Sequence, residues 1–155
     1  MSYQAKLATP FAVLGIRTED ERLIGIEFLP RNTLALAAQT PLVRETCRQL
    51  QAYLKDAHFV FDLPLHLDGT AFQQCAWQAL RRIPAGKTLT YGELAQRLHT
   101  AARAVGGACG ANPIPIVVPC HRIVGAHGLG GFMNAGDGDP LAIKRWLLCH
   151  EGHDV

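Results

Sequence analysis

No two cysteines in this chain are spaced C-x-x-C, and the five present, at 47, 75, 109, 120 and 149, make an odd number. That argues against a disulfide framework and for a reducing compartment, the cytoplasm. Long apolar runs are also missing: none approaches the roughly 20 residues of a membrane span, so no membrane partner is expected. The opening MSYQAKLATPFAVLG has no basic start followed by a long apolar core, so a secretory signal is not expected. There is no internal repeat and no low-complexity tract. Hydrophobic residues at 48% against 18% charged exclude a disordered chain, and 155 residues suffice to bury a core in one domain or two small ones.

Acid is scarce in one stretch only. Residues 70–133 hold six Lys/Arg (81, 82, 87, 97, 103, 122) against Glu93 alone, a local charge of +5. Residues 1–69 hold seven basic against eight acidic side chains. A basic segment beside a neutral one points to an anionic partner for that segment.

The first part reads as an α/β unit. FAVLGIR (11–17) and RLIGIEFL (22–29) are β-rich runs separated by the polar TEDE, which predicts a hairpin. TPLVRETCRQLQAYLKDA (40–57) predicts a helix capped by Thr40 with Pro41 in its first turn and an apolar stripe of Val43, Cys47, Leu50 and Leu54. FVFDLPLHLD (59–68) is extended, pushed to an edge or linker by Pro64. From Thr70 the pattern changes to short helices. T-A-F-Q (70–73) and T-Y-G-E (90–93) both match a capping box. The helix after Thr70 runs to about Ile83; the helix after Thr90 ends near Leu98. Thr100 is positioned to cap a third, AARAVGGACGA, which halts at Asn112-Pro113. Two short helices joined by a tight turn in a basic segment match a helix-turn-helix. A final helix from about Pro140 would be capped by Asp139 and closed at Gly152, after the glycine-rich loop GLGGFMNAGDGD (128–139).

The third helix carries Gly106 and Gly107, each costing about 1 kcal/mol relative to alanine. Ala101, Ala102, Ala104 and Ala108 keep it nearly bare, with Arg103 the one long side chain near its start. Close helix packing and close approach of a nucleic-acid backbone both select such residues.

Pro115 to Gly125 reads PIVVPCHRIVG. Its β-branched runs look like a buried strand, interrupted by Cys120, His121 and Arg122. A cysteine is a nucleophile as thiolate, so it needs a proton acceptor or a positive neighbour. Neighbours on a strand point to opposite faces, so a Cys120–His121 couple requires a bend here or a bridging water. His121 in turn needs a partner to fix its tautomer, and Glu151, in the apolar WLLCHEG, is the carboxylate to consider. Cys149, His150 and His153 form a C-H-x-x-H cluster, but no second cluster completes a four-ligand structural zinc site, so no metal is expected.

IPIVVPCHRIVG, preceded by AARAVGGACGANP and followed by IKRWLLCHEGH, closely resembles the O6-alkylguanine-DNA alkyltransferases. The resemblance runs from Thr70 to His153. It implies an α+β chain: a small ribonuclease-H-like α/β domain over 1–69, then a winged helix-turn-helix domain over 70–155 that binds double-stranded DNA and carries the chemistry. Cys120 would take the alkyl group irreversibly from O6 of a flipped-out guanine. His121 would be its base, acting through water and held by Glu151. Asn112 would be a hinge between the DNA-contacting helix and the strand bearing the nucleophile. Tyr91 would crowd the target phosphate and hydrogen-bond the base. Arg103 would fill the hole in the base stack, with Ala104, Gly106 and Gln73 also on DNA. Pro115, Ile123, Phe132 and Met133 would line the pocket, the carbonyls of Cys120 and Ile123 accepting from the guanine amine. Nothing in the sequence calls for a cofactor, and a monomer is expected. Inactive relatives have tryptophan in place of the cysteine, so this chain falls on the active side. One departure stands out: Phe132 and Met133 replace a tyrosine and a small residue in a lengthened loop that adds Asp137 and Asp139. Two other readings make different predictions. A lesion-binding regulator would bind damage with Cys120 dispensable, and a cysteine hydrolase would turn over an ester or amide.

Overall fold

The computed structural model describes residues 2–131 and 140–154. Strands β1 (Ala5–Ala8), β2 (Val13–Glu19) and β3 (Arg22–Leu29) form an antiparallel sheet in that order, pairing Leu14 with Phe28 and Ile16 with Ile26. The expected hairpin is present, turning through Asp20 and Glu21, which both take positive φ (51° and 61°) as a tight two-residue turn demands. Strand β1 is an addition: AKLA alternates too briefly to stand out in the sequence. The segment 59–68 contributes one parallel bridge, Leu65 beside Leu23 of β3.

Helix α1 (Pro41–Lys55) begins at Thr40 as expected, but its buried face is rotated from the apolar stripe. Val43, Thr46, Gln49, Leu50 and Tyr53 are buried, while Cys47 and Leu54 are only partly so. Three of the buried five have polar tips, and each tip is satisfied. Thr46 Oγ1 donates to the Leu42 carbonyl (2.9 Å), and the Gln49 amide exchanges two hydrogen bonds with the Asp62 backbone (2.9 and 2.8 Å). The Tyr53 hydroxyl reaches Glu151. A satisfied polar atom removes most of the cost of burial, so hydrophobicity alone misplaced the face.

Helices α2 (Ala71–Arg81) and α3 (Tyr91–Arg97) both start with complete capping boxes, at Thr70/Gln73 and Thr90/Glu93. Helix α4 (Ala102–Gly110) corrects the expected Thr100 cap. Its N-cap is Ala101, with no side-chain hydrogen bond. Thr100 is used instead to end α3: its N–H bonds the Ala95 carbonyl (2.9 Å) and that of His99 bonds Gln96 (3.3 Å), with His99 at φ 57°. This is the Schellman closure, and it makes the α3–α4 turn tight. Strand β4 (Leu89–Thr90) leads into α3 and pairs parallel with β5 (Ile123–Val124), which directly follows the PCHR segment. Helix α5 (Pro140–His150) closes by the same motif at Gly152, whose φ of 98° suits glycine. The Asp139 cap lies outside the described residues.

One hydrophobic cluster runs through both parts of the chain, from Leu14, Ile16 and Phe28 of the sheet to Trp77, Leu94, Val105 and Leu147. Trp77 Nε1 donates to the Ala108 carbonyl (2.9 Å), tying α2 to α4, and Ile26 N–H donates to the Pro113 carbonyl (3.0 Å), tying the sheet to the segment before Cys120. No described helix is long and apolar enough to cross a membrane.

Candidate active site

The apolar IVV run is not a strand. Ile116 takes φ 73°, an outlier for a β-branched residue, and the chain folds back so that Pro115 bridges Val118 and Val118 N–H bonds the Ile114 carbonyl (2.9 Å). A residue held in such a region costs on the order of 1–3 kcal/mol and persists only where its surroundings over-determine it. Here the clamp is Asn112. Its Nδ2 donates to the Val118 carbonyl (2.8 Å) and its Oδ1 accepts from Ile114 N–H (3.0 Å), both buried. Asn112, expected to join α4 to a strand, therefore ties the end of α4 to a buried loop instead. Pro119 then starts a 3₁₀ turn, Cys120–Arg122, which supplies the required bend.

Cys120 is 3% exposed. Burial pushes its thiol up to about 11, against the opposing pull of a hydrogen bond with Asn112 and of the Lys144 charge. His121 is fully buried, and burial lowers its pKa despite the contact with Glu151. Its Nε2 lies 2.7 Å from Glu151 Oε2. Arg122 grips the same carboxylate, Nε to Oε1 at 2.8 Å and Nη2 to Oε2 at 3.1 Å, and its Nη1 donates to the Ile83 carbonyl (2.5 Å). Burial works to raise the Glu151 pKa, but the donors from His121, Arg122 and Tyr53 outweigh it and hold the carboxyl well below its usual range. An ionised carboxylate only accepts. The neutral imidazole must then carry its proton on Nε2, leaving Nδ1 as the basic lone pair. Nδ1 is buried and has no hydrogen-bond partner among the described residues.

A cavity of about 280 Å³ is lined by Tyr91, Gly106, Cys109, Gly110, Cys120 and Gly131, with Cys120 the one residue of the 3₁₀ turn on its wall. The cavity wall thus brings Tyr91 and Gly106, both expected on DNA, together with Cys120. Cys109, Gly110 and Gly131 were not anticipated. Pro115 and Ile123 are buried but are not part of that lining, and Phe132 and Met133 lie outside the described residues. The Cys120 carbonyl accepts from Ile123 N–H, and the Ile123 carbonyl accepts from Lys144 Nζ (2.6 Å). The Tyr91 hydroxyl donates to the Gly131 carbonyl (3.1 Å). Gly130 makes that approach possible: it sits at φ 71°, and a Cβ there would lie 2.7 Å from the Tyr91 ring.

Helix α4 separates the two explanations of its small residues. Val105, Ala108 and Cys109 pack inward, but a Cβ added at Gly106, Gly107 or Gly110 would meet nothing within 4 Å. Those glycines face open space, not a neighbouring helix. Arg103 and Ala104 lie at the start of the same helix, Arg103 exposed. Gln73 is partly buried, and its Oε1 is held by the α2 capping box.

Lys144 is the functional candidate the sequence reading missed. It is buried, and its ammonium donates to the carbonyls of Ile123, Leu129 and Gly131, each at 2.6 Å, with Nζ 5.7 Å from the Tyr91 ring centre. Burial lowers its pKa to about 8, although nearby Cys120 and Cys109 favour the charged form. The signal was present in the spacing: Lys144, Leu147, Leu148 and Glu151 recur at i, i+3, i+4 and i+7, placing two charges at the ends of one buried stripe. A cation here favours the Cys120 thiolate, and that pull fades as pH rises through about 8, where the lysine loses its proton. Lys144→Met should slow Cys120 alkylation by iodoacetamide roughly 10-fold at pH 7, a loss of about 1.4 kcal/mol of charge stabilisation, with the gap from wild type closing above pH 8. A pH-independent gap, or none, would show that the charge is not felt.

His150 and Cys149 do not form a metal cluster with His153. His150 stacks on Trp146 and bonds the Tyr53 carbonyl (2.7 Å), and no metal-binding group of three or more His, Cys, Asp or Glu occurs among the described residues.

Comparison with known proteins gives consistent results. The family pattern described as 6-O-methylguanine DNA methyltransferase, DNA binding domain, matches residues 71–153. The methylated-DNA–protein-cysteine methyltransferase of Methanosarcina acetivorans is 47% identical over 112 residues, covering 70% of this chain and 69% of its own. The crystal structure of the Mycobacterium tuberculosis O6-methylguanine methyltransferase superposes with TM-score 0.78 at 36% identity, covering 97% of this chain and 93% of that one. The OGT of the same organism, crystallised in complex with DNA, gives TM-score 0.74 at 37% identity over 94% and 90%.

Proposed function

The chain belongs to the 6-O-methylguanine DNA methyltransferase family, enzymes of the methylated-DNA–protein-cysteine methyltransferase class, and from that premise we propose that it repairs O6-alkylguanine in duplex DNA by moving the alkyl group to Cys120. The observation that carries this reading is His121: its Nε2 is committed to an ionised Glu151, and its unpartnered Nδ1 is buried next in sequence to the cysteine on the cavity wall.

In this reading residues 1–69 form the supporting ribonuclease-H-like domain and residues 70–155 the winged helix-turn-helix domain. The closely turned α3–α4 pair and the small β4–β5 sheet support the latter. DNA approaches the open glycine face of α4. Phosphate contacts from the basic segment give affinity with little sequence preference. A base inside a duplex is out of reach of Cys120, so the nucleotide must be extruded at a cost of a few kcal/mol, and Arg103 fills the space it leaves. Tyr91 exchanges its Gly131 partner for the incoming base and crowds the phosphate behind it.

The chemistry then follows from the buried groups. His121 Nδ1 takes the Cys120 proton through a bridging water, and Glu151 stabilises the imidazolium that forms. The thiolate attacks the alkyl carbon. A carbon–sulfur bond forms as the carbon–oxygen bond at O6 breaks, and its electron pair stays on the guanine, which is protonated and released. The product thioether has no group here to hydrolyse it, so each molecule reacts once. Titration with excess O6-methylguanine duplex should stop at one lesion repaired per chain; continued turnover would contradict the mechanism.

Arg103→Ala tests the extrusion step. Its rate on duplex should fall roughly 10- to 100-fold, about 1.4–2.8 kcal/mol of the flipping cost, while reaction with free O6-alkylguanine base stays near wild type. Equal losses on both substrates would remove the role assigned to Arg103.

A further inference from the structure

Glu151 is held from both ends of the sequence. Besides His121 and Arg122, its Oε2 accepts from the hydroxyl of Tyr53 at 2.6 Å, a buried contact spanning 98 positions and coming from α1. We propose that the Tyr53 hydroxyl is a positioning group for alkyl transfer, acting through Glu151 on the orientation and basicity of His121. The inference rests on the mechanism above, in which His121 is the base for Cys120.

Three features argue that Tyr53 does more than fill space. Its hydroxyl and His121 Nε2 bond the same oxygen, so the two donors share one source of negative charge. Tyr53 donates throughout the working pH range, because burial and then the Glu151 charge push its ionisation far upward. Its ring is also fixed: 1% exposed, it packs on Phe61 (5.7 Å) and edge-on to His150 (5.0 Å), and its carbonyl bonds His150 Nε2. A rigid aromatic from the first helix therefore sets where the carboxylate sits.

The charged and titratable groups around this pair are few. Tyr53 comes from α1, Cys120, His121 and Arg122 from the 3₁₀ turn, and Lys144, His150 and Glu151 from α5 and its end. Arg122 and Lys144 both disfavour a charged His121, and Glu151 alone among them favours it. A donor on Oε2 disperses the charge His121 feels. Removing that donor leaves a more strongly attracting carboxylate, which favours the imidazolium and raises the His121 pKa. The neutral base then survives only at higher pH.

Tyr53→Phe keeps the ring and removes the hydroxyl. With duplex carrying O6-methylguanine as substrate, the acid limb of its single-turnover pH–rate profile should move up by about half a unit or more relative to wild type. The rate on the alkaline plateau should stay within about threefold. In a Glu151→Gln background the same substitution should move the limb no further, because the tyrosine acts only through the carboxylate. A purely structural tyrosine would instead lower the rate by one factor at every pH, and that result overturns the proposal. Wild type failing to transfer at all would overturn the underlying mechanism, whereas wild-type transfer with an unmoved Tyr53→Phe limb would overturn this inference alone. If Tyr53→Phe does not fold, proton NMR of the wild-type chain decides. The Tyr53 hydroxyl should give a slowly exchanging downfield resonance that shifts as His121 titrates, and a resonance insensitive to that titration counts against the proposal.

Discussion

Cys120→Ala should abolish alkyl transfer, by roughly 10⁴-fold or more, while the variant still binds duplex carrying O6-methylguanine. The reasoning is positional. Cys120 is on the cavity wall and directly precedes His121, whose Nδ1 has no partner among the described residues, whereas Cys75 and Cys149 are exposed and Cys47 is on α1. Cys109 also lines the cavity, but burial pushes its thiol up to about 12, and the basic nitrogen follows Cys120 in sequence, not Cys109. Alanine at position 120 removes little volume and leaves Arg103, Tyr91 and the α4 glycine face in place, so binding should survive. Stoichiometric methyl transfer and a fluorescence binding titration check both halves. Transfer by the variant would show that the nucleophile is wrongly assigned.

Glu151→Ala should damage both fold and reaction. One carboxylate holds Tyr53, His121 and the Arg122 guanidinium, and its side chain is fully buried. Removing it leaves three donors without their acceptor, one of them a cation only 11% exposed. Breaking a buried pair from one side costs about 3–5 kcal/mol, or roughly 6–20 °C in Tm for a chain of this size. Transfer should fall by roughly 10³-fold, because His121 loses the acceptor that fixes its tautomer. The pH dependence has a definite sign. The Glu151 pKa is depressed in the fold, so its contribution is fully present above the unfolded carboxyl value of about 4.3. It is lost only as pH falls through the much lower folded value. The Tm difference between wild type and Glu151→Ala should therefore be flat from pH 5 to 7 and shrink in stronger acid. A variant as stable as wild type at neutral pH would show that the network is not structural.

Much of the architecture was readable because its signals are local. Both capping boxes and the Pro41 start of α1 rest on residues within four positions of one another, strand β3 rests on one unbroken run of eight, and each formed where the pattern placed it. What escaped depends on partners distant in sequence. The IVV run has every β-strand signal, yet Asn112 clamps it into a turn with Ile116 at positive φ. Thr100 is a good N-cap residue, but the Schellman closure of α3 claims it first. At the site, Cys120, His121 and Glu151 stood out because reactive residues interrupt apolar runs. Tyr53 and Lys144 did not, since a tyrosine or lysine in a helix ordinarily lies half-exposed. Their roles arise from contacts with Glu151 and with three carbonyls of the loop after Cys120.

The central claim is that the alkyl carbon ends on Cys120. Peptide mass spectrometry of the wild-type chain, after incubation with excess duplex containing O6-methylguanine, tests it most directly. The account predicts a single added methyl, confined to the peptide containing Cys120. An unmodified protein that still binds the lesion, or a methyl on another residue, would contradict it.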